Sequence, residues 1–476
     1  MTNSVAKASD RSARGSSKLA KVRALRGGVE AMRLAGEYYL PKEERETQSD
    51  YDDRVSRSWL LPALDKTIRN SADHIFSREV RLGDDVPQQI ADLAENITNE
   101  GRDLNTFSRE LLEDGVAAGV SFIFVDAPRK VGDMTLAQQR DTNFRPYLSI
   151  VKSEDLLGWK TETVNNMTVL TQVRIMETAV EDDPKDRFGQ VEIPQVRVLT
   201  LDGGKVECEV WRESSKARVG WEIHEQFTID IPKITLIPFY TNRTGFFQGE
   251  PPLDALADLN IAHWQSASDQ RNILHTARVP IMFLKGIDPD SIVVGANSAF
   301  FSKDENADAK WIEHSGAAIG AGRDDLKDLE ERMQILGLQL MMPKPGGATA
   351  TGEALDAAKS ATPLAMMAAS LKDALEGALD CMAMFMGLDA GGSVDVNTDY
   401  GVNLLGDADL QFLLNAKAAG LISHQTFINE CVRRQVLMDD ITPESESEAI
   451  AEEAAQSGGD ESVLQDTFLT VIRGGR

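Results

Sequence analysis

The stretch PPLDALADLNIAHWQSASDQRNILHTA, from Pro251 to Ala277, decides how the chain is built. It predicts one uninterrupted helix that spans roughly 40 Å, because an α-helix rises about 1.5 Å per residue. A β-rich insert, Arg278 to Gly322, separates it from a second helix, Arg323 to Met342. The glycine- and threonine-rich segment 343–352 then leads into a third helix, Glu353 to Leu388. Two long helices that frame a small β module describe a stalk with a cap.

The second and third helices carry two further expectations. Five apolar side chains recur on one side of the second helix, which predicts a packing face. They are Leu326, Leu329, Met333, Leu336 and Leu340. In the third helix, Pro363 is expected to kink or interrupt the run, because proline lacks a backbone donor and clashes with the preceding turn.

The period of the apolar residues changes within the part that precedes Pro251. Helical patterns come first, and they cover Val22 to Tyr39, Trp59 to Phe76, Val86 to Asn99, and Leu104 to Ala118 with Asp103 as its N-cap. From Val120 to Tyr240, short runs of alternating polar and apolar residues predict antiparallel strands, and DGGK at 202–205 predicts a hairpin turn. Residues 58–250 are therefore interpreted as one module with helices first and a sheet second.

The chain beyond the third helix continues the same mixture. Residues 394–401 predict a strand, and further helices follow from Ala408, with Ser423 and Thr442 as N-caps. The fold class predicted for the whole chain is α+β, mainly helical.

Charge excludes one class of function and marks both ends of the chain. The net charge of −26 argues against a simple DNA-coating protein, which needs a broad basic surface. Residues 1–28 nevertheless carry net charge +6, while residues 439–466 hold ten acids and no Lys or Arg. Charge runs of this kind are typical of solvated, partly disordered ends. A sharper hypothesis for the basic arm is contact with nucleic acid or with an acidic neighbouring subunit.

Signatures of catalysis and cofactor binding are absent from the sequence. It holds no Walker phosphate loop, no dinucleotide fingerprint, no nucleophile elbow and no H-E-x-x-H or C-x-x-C spacing. We therefore expect no enzyme, no cofactor and no metal. Three widely spaced cysteines suit a reducing cytosol, and no apolar run is long enough to span a bilayer. The N-terminus lacks the apolar region of a secretory signal.

One pair of carboxylates keeps an enzymatic alternative open. Asp395 and Asp399 fall at i and i+4 on one candidate strand, which places them on the same side. A two-metal nuclease needs more carboxylates that converge on one point, so an acidic sheet edge is the favoured interpretation. Cys381 stands among methionines and is interpreted as core filling.

The order of several segments resembles the portal proteins of tailed bacteriophages, from about Tyr38 to Glu453. The segments are YYLPKEERETQSDYDDRVSRSW, FSRELLEDGVAAGVSFIFVDAP with RPYLSIVKSEDLLGWK, IPFYTNRTGFFQGEPPLDALADLNIAHWQSASDQRNILHTARVPIMFLKG, IEHSGAAIGAGRDDLKDLEERMQILG, ATATGEALDAAKSATPLAMMAASLKDALEGAL and AAGLISHQTFINECVRRQVL. Portal proteins form a ring, usually of twelve subunits, at one capsid vertex, through which DNA enters and leaves.

The resemblance implies a domain layout. After a basic arm and helix at 1–57, residues 58–250 would be the wing, 251–277 and 323–342 the two stem helices, and 278–322 the clip. Residues 343–352 would be the tunnel loop, 353–402 a long wing helix and strand, and 403–476 the helical crown with the C-terminal tail.

The resemblance also implies site residues. Tunnel-loop residues would face DNA, and these are Lys344, Gly346, Gly347, Ala348 and Thr349. Acids of the stem would line the channel, where they would repel the duplex and keep its contacts weak. The alternative is that they belong to ordinary solvated helix faces. These acids are Asp254, Asp258, Asp269, Asp324, Asp325 and Asp328. Aromatic residues of the clip would anchor partners, or they form a small local core; they are Phe300, Phe301 and Trp311.

The implied partners are those of a portal in a virion. They are the copies of its own ring, double-stranded DNA, the terminase large subunit, a head-tail adaptor, the major capsid protein and a scaffold protein, with assembly in the cytoplasm of the bacterial host and no membrane. Two other classes stay open at this point. One is a nuclease-like packaging enzyme that uses Asp395 and Asp399, and the other is a capsid or adaptor protein, although such proteins are usually shorter.

Overall fold

The computed structural model describes residues 4–14, 16–128, 145–214, 220–278, 281–285, 306–312, 317–338, 362–398, 414–433, 441–443, 445–447 and 449–450. The chain divides into two units, Met1–Tyr400 and Gly401–Arg476. Helices and strands both contribute substantially, which confirms the α+β class.

The helices of the first unit surround and extend its sheets. They are α1 (Ser16–Arg26), α2 (Gly28–Ala35), α3 (Gln48–Arg57), α4 (Ala63–Ile75), α5 (Gln88–Ala91), α6 (Leu104–Ala118), α7 (Asp254–Ala277), α8 (Ala317–Leu338) and α9 (Pro363–Met386). Short 3-10 turns cover Gly36–Tyr38 and Ala94–Asn96.

The strands of the first unit pair antiparallel throughout the described residues. They are β1 (Arg81–Leu82), β2 (Val120–Asp126), β3 (Tyr147–Val151), β4 (Leu156–Val164), β5 (Met167–Asp182), β6 (Gln190–Asp202), β7 (Lys205–Glu213), β8 (Trp221–Ile229), β9 (Leu236–Tyr240), β10 (Arg243–Gly245), β11 (Gln248–Gly249), β12 (Ile281–Lys285), β13 (Asp308–Ile312) and β14 (Val394–Asp395). The larger sheets have the orders β4-β5-β6-β7-β8 and β3-β2-β9, and β1–β14, β10–β11 and β12–β13 form two-stranded pairs.

Two apolar cores hold the first unit together. The larger core joins the helices, and Leu64, Phe107, Trp264 and Leu371 are fully buried in it. The second core lies between the two larger sheets and includes Phe122 of β2. Complete burial of a side chain of this size contributes about 1.5–3 kcal/mol. These cores fix α7 and α9 firmly against the body of the unit.

Several local predictions are confirmed. Helix α6 has the predicted bounds, and Asp103 caps it by accepting a hydrogen bond of 2.6 Å from the Thr106 amide. The turn between β6 and β7 pairs Asp202 with Lys205, and Gly203 and Gly204 both have positive φ, as this tight hairpin turn requires.

Other predictions need correction. The single helix predicted from Val22 to Tyr39 is divided at Gly27, because Gly28 has φ +76° and ends the regular helical backbone. The helix predicted from Val86 to Asn99 is reduced to α5 and a 3-10 turn. Helix α3 lies outside the predictions.

The break predicted at Pro363 coincides with the start of α9, because the backbone of Thr362 is extended. Pro363 occupies the first turn of α9, and Thr362 caps that turn by accepting a hydrogen bond of 3.1 Å from the Ala365 amide. Proline is favoured at this place, since its missing N–H would have no partner within the helix. The predicted residues 353–361 lie outside the described residues.

The second unit is helical where it is described. Residues 414–418 form a helical turn, and α10 covers His424–Arg433. Ser423 accepts a hydrogen bond of 3.0 Å from the Thr426 amide, and Thr442 accepts one of 3.1 Å from the Ser445 amide. Both predicted caps are therefore confirmed.

Candidate functional site

Helices α7 and α8 form an antiparallel pair. His263 Nε2 lies 3.4 Å from Glu330 Oε1, Ser266 Oγ donates to Asp325 at 2.7 Å, and Gln270 donates to the Ile319 carbonyl at 2.9 Å. The residue numbers fall along α8 as they rise along α7, so the two helices run in opposite directions. The β12–β13 hairpin lies between them in sequence, with Ile281 paired to Ile312.

The contact between α7 and α8 is more polar than the apolar stripe of α8 predicts. Of that stripe, Met333 is buried, while Leu326, Leu329 and Leu336 are half-buried and Leu340 lies outside the described residues. Helix α8 begins at Ala317, before the predicted Arg323, so the last part of the predicted insert is helical.

The opposite side of α7 is anchored to the N-terminal helices. The Asn260 side chain accepts from the Leu64 amide at 3.1 Å and donates to the Leu61 carbonyl at 2.9 Å. Ser58 Oγ lies 2.8 Å from Ser268 Oγ. Because both ends of these contacts are buried, α7 has a fixed orientation in the unit.

The three predicted channel-wall acids of α7 are paired with cations of the N-terminal helices, and Asp324 of α8 lies 3.9 Å from its neighbour Arg323. Lys21 Nζ lies 2.8 Å from Asp254 Oδ1 and also contacts Asp258. Burial disfavours the charge of Lys21, but its hydrogen bonds to these two carboxylates outweigh burial and raise its pKa. Asp269 lies 3.9 Å from Arg54, and partial burial raises the pKa of this carboxyl despite that cation.

The other three wall candidates lie on the exposed part of α8. Asp324, Asp325 and Asp328 are all exposed, and Asp325 accepts the hydrogen bond from Ser266. Asp258 and Asp269 are exposed as well, whereas Asp254 is half-buried. The acids of α7 differ from those of α8 in their contacts with basic side chains of the N-terminal helices.

The basic arm is packed where the structure describes it. Arg23 lies 2.6 Å from Asp114, and Arg26 lies 3.1 Å from Glu113. Val22 and Leu25 are buried on the same helix. The prediction of a solvated, partly disordered end is therefore wrong for α1, because distant acids neutralise its charge and its apolar side enters the core.

A charge-balanced cleft of about 710 Å³ adjoins α1 and was not predicted from the sequence. Helices α1, α4 and α6 and strand β3 line it. Five basic and five acidic side chains contribute to the lining, so the cleft has no excess of positive charge that would select phosphate. The sequence gives no signal for it, because its walls come from four separate segments.

Several predicted sites fall on parts that the structure leaves undescribed. The tunnel-loop residues lie outside the described residues, and so do the clip residues Phe300 and Phe301. The loop residues are Lys344, Gly346, Gly347, Ala348 and Thr349. Trp311 belongs to β13, where its Cα pairs in register with Met282.

The carboxylate pair of the nuclease alternative is described only in part. Asp395 is exposed at the end of the short strand β14, in register with Arg81, and Asp399 lies outside the described residues. Within the described ranges, no three His, Cys, Asp or Glu side chains converge as a metal site. No described helix has the length and apolar character to cross a membrane.

Comparisons with known proteins add one sequence match and a set of similar folds. Residues 252–386 match the family model described as Domain of unknown function (DUF4055), which covers less than half of the chain. This region contains α7, β12, β13, α8 and α9. No curated protein matches the sequence.

The similar folds belong to gene transfer agent (GTA) particles. A chain from the neck of the empty particle computed with C6 symmetry is 14% identical, over 77% of this chain and 88% of that chain, with a TM-score of 0.42. A chain from the virion of the native particle is 13% identical, over 83% and 96%, with a TM-score of 0.40. A chain from the neck of the native particle computed with C12 symmetry is 14% identical, over 83% and 96%, with a TM-score of 0.41. Similarity at this level carries no argument about what this chain does.

Proposed function

We propose that this chain is a phage portal protein, one subunit of a ring at a capsid vertex through which double-stranded DNA enters and leaves. The observation that carries the proposal is the antiparallel pair of α7 and α8 with the β12–β13 hairpin between them. A stem of two helices with a clip at its end has this arrangement. The resemblance of residues 38–453 to portal proteins supports the same assignment for the segments around it.

The acids of α8 are the proposed channel wall. A channel that gripped phosphate would stall the duplex, whereas an acidic wall keeps its contacts weak and independent of sequence. Asp324, Asp325 and Asp328 are exposed and suit this role. Asp254 and Asp258 are paired with lysines in the single chain, so their electrostatic repulsion of DNA is reduced.

The remaining roles follow from the same proposal. The ring, of twelve copies, would lie in the virion after assembly in the host cytoplasm and would act without catalysis. Its partners would be the terminase large subunit, the head-tail adaptor, the major capsid protein and a scaffold protein. Lys344 is the cation of the tunnel loop, and we assign it transient contacts with phosphate. The clip residues Phe300, Phe301 and Trp311 would anchor the terminase and then the adaptor.

Negative-stain imaging of the purified protein tests the assembly. We expect rings with a central hole, and analytical ultracentrifugation will give the number of copies. A monomer or a compact dimer under all assembly conditions would contradict the proposal.

A cleavage assay separates the portal from the nuclease alternative. Purified protein is incubated with double-stranded DNA and Mg²⁺ or Mn²⁺, and we expect no cleavage. Metal-dependent cleavage that Asp395→Asn removes would favour the enzyme instead.

Substitutions test the proposed contacts with DNA and with the motor. Asp324→Asn, Asp325→Asn and Asp328→Asn together should strengthen DNA binding by the ring at low salt, with Asp230→Asn, next to the sheet, as the control.

Lys344→Ala should change the length or retention of packaged DNA. Deletion of residues 285–310 should abolish binding of terminase and adaptor. Unchanged behaviour in each case removes the corresponding role.

A further inference from the structure

The N-terminal strap, which we define as residues 4–14 and 16–26, begins on the outer face of the five-stranded sheet. The Ser9 amide donates to the Leu157 carbonyl at 2.7 Å. Arg174 donates to the carbonyls of Ser4, Val5 and Lys7. Val5 also packs against a small apolar cluster that includes Leu157. The sheet therefore provides both backbone partners and an apolar surface for this end of the chain.

The strap continues as α1 across the helical part of the unit. Val22 and Leu25 are buried at 1% and 2% exposure. Each of the four cations of α1 meets at least one acid, and the pairs are Lys18 with Glu250, Lys21 with Asp254 and Asp258, Arg23 with Asp114 and Glu154, and Arg26 with Asp65 and Glu113. All these acids come from later segments of the chain. The strap therefore occupies a site, called the strap site below, that later segments of the unit form.

Many contacts attach the strap, but most of them are individually weak enough to break and reform. Lys18 and Glu250 are 41% and 46% exposed, so salt screens their pair. The contacts of residues 4–14 with the sheet are mostly hydrogen bonds that involve backbone groups of the strap. Release would expose Val22 and Leu25, however, so a released strap needs an equivalent site.

A glycine pair connects the strap to the rest of the unit. Gly27 and Gly28 separate α1 from α2, and Gly28 has φ +76°. A helical φ at Gly28 would join the two helices from Ser16 to Ala35, a rod of roughly 30 Å that carries the strap away from its own body. The glycine itself permits the change, because glycine adopts positive and negative φ with similar ease.

We infer that, in the assembled protein, the strap of one copy occupies the strap site of a neighbouring copy. This inference rests on the proposed ring, because it requires adjacent copies. A second copy is the occupant that matches the site, since it brings the same four cations and two apolar side chains in the same order. Exchange of an identical element forms an interface without any new contact chemistry.

Isotope mixing tests the exchange on the unmodified protein. Light and ¹⁵N-labelled monomers are mixed in about 0.02 M NaCl and are assembled by raising NaCl to about 0.3 M, which also weakens the ion pairs that hold each strap. Native mass spectrometry first verifies that both isotopes share each assembly. A carbodiimide then joins lysines to carboxylates in contact, and mass spectrometry reads the Lys18–Glu250 product. We expect cross-linked peptides with one light and one heavy partner.

The matched control is the pair of Lys205 and Asp230, which are 3.1 Å apart within one sheet and must give only unmixed peptides. Mixed assemblies with only unmixed Lys18–Glu250 peptides would overturn the exchange and leave the ring standing. A protein that stays monomeric would overturn both.

A backbone substitution tests the hinge. Gly28→Ala disfavours the positive φ of the attached strap and favours a continuous helix, so we expect the ratio of Lys18–Glu250 to Lys205–Asp230 cross-linked product in the monomer to fall by about tenfold. Gly101→Ala carries the same backbone penalty at φ +89° away from the strap and should leave the ratio unchanged. An equal ratio for Gly28→Ala and the unmodified protein would overturn the continuous-helix route.

Discussion

Asp126, Arg197 and Glu177 bring three charges into the space beside the apolar core of the two larger sheets. Arg197 lies 3.0 Å from Asp126 and 2.7 Å from Glu177, and all three side chains are less than a quarter exposed. The arginine therefore links β2, β5 and β6 through one buried group. Burial opposes its charge, but the two carboxylates outweigh burial and raise the pKa of Arg197.

Removal of the Arg197 side chain should lower the stability of the folded protein. Arg197→Met leaves the buried Asp126 and the half-buried Glu177 without their cation, and we expect the free energy of unfolding to fall by about 1–3 kcal/mol in urea. Lys205→Ala, which breaks an exposed pair with Asp230, should change it by less than about 0.5 kcal/mol. A loss below about 1 kcal/mol for Arg197→Met would show that water reaches these carboxylates.

Tyr147 reports on the same cluster through pH. Its hydroxyl donates to Asp126 at 3.2 Å, and burial, helped by the charge of Asp126, raises its pKa from 10.0 to about 12. The folded state thus holds a proton that the unfolded state loses, so stability is present below pH 10 and falls as the pH rises to 12. We expect Tyr147→Phe to reduce this alkaline loss by about 2 kcal/mol in urea titrations at pH 9 and pH 12. Parallel pH profiles for the two proteins would contradict the assignment.

Pro363 could lie inside a helix or in its first turn, and substitutions at the start of α9 distinguish the two positions. Thr362 caps the helix and is 7% exposed, so Thr362→Ala should lower the free energy of unfolding by about 1 kcal/mol. Pro363→Ala should change it by less than about 0.5 kcal/mol, because the first turn does not use that N–H. A proline inside the helix would instead cost about 3 kcal/mol, so stabilisation of that size by Pro363→Ala would contradict the N-terminal placement.

Sequence patterns predict elements well where the cause is local. Asp103 caps α6 and Gly203–Gly204 turn the β6–β7 hairpin through interactions within a few residues. Helices α7 and α8 also follow from their own periodicity. Helix α3 escapes prediction because its residues are mostly polar, and its place depends on Arg54, whose buried side chain binds Glu46.

At the scale of the whole molecule, the pairing of charged residues is the feature that the sequence predicts least well. The arm and the stem acids were assigned separate roles because they are more than 200 residues apart in sequence, yet Lys21 and Asp254 lie in contact. The folded unit neutralises part of its charge internally. Five of the six acids predicted as one wall are exposed, but those of α7 also contact basic side chains that lie far away in sequence.

The net charge of −26 sets how assembly should depend on salt. Identical copies repel one another, and the screening length falls from about 30 Å at 0.01 M to about 8 Å at 0.15 M ionic strength. We therefore expect the assembled fraction to rise between about 0.02 M and 0.3 M NaCl, as measured by analytical ultracentrifugation at one protein concentration. Sucrose at matched osmolality should have no comparable effect. If assembly instead falls steadily with salt, attraction between opposite charges dominates the contact, and the exchanged strap with the four cations of α1 is the part of the chain that would supply it.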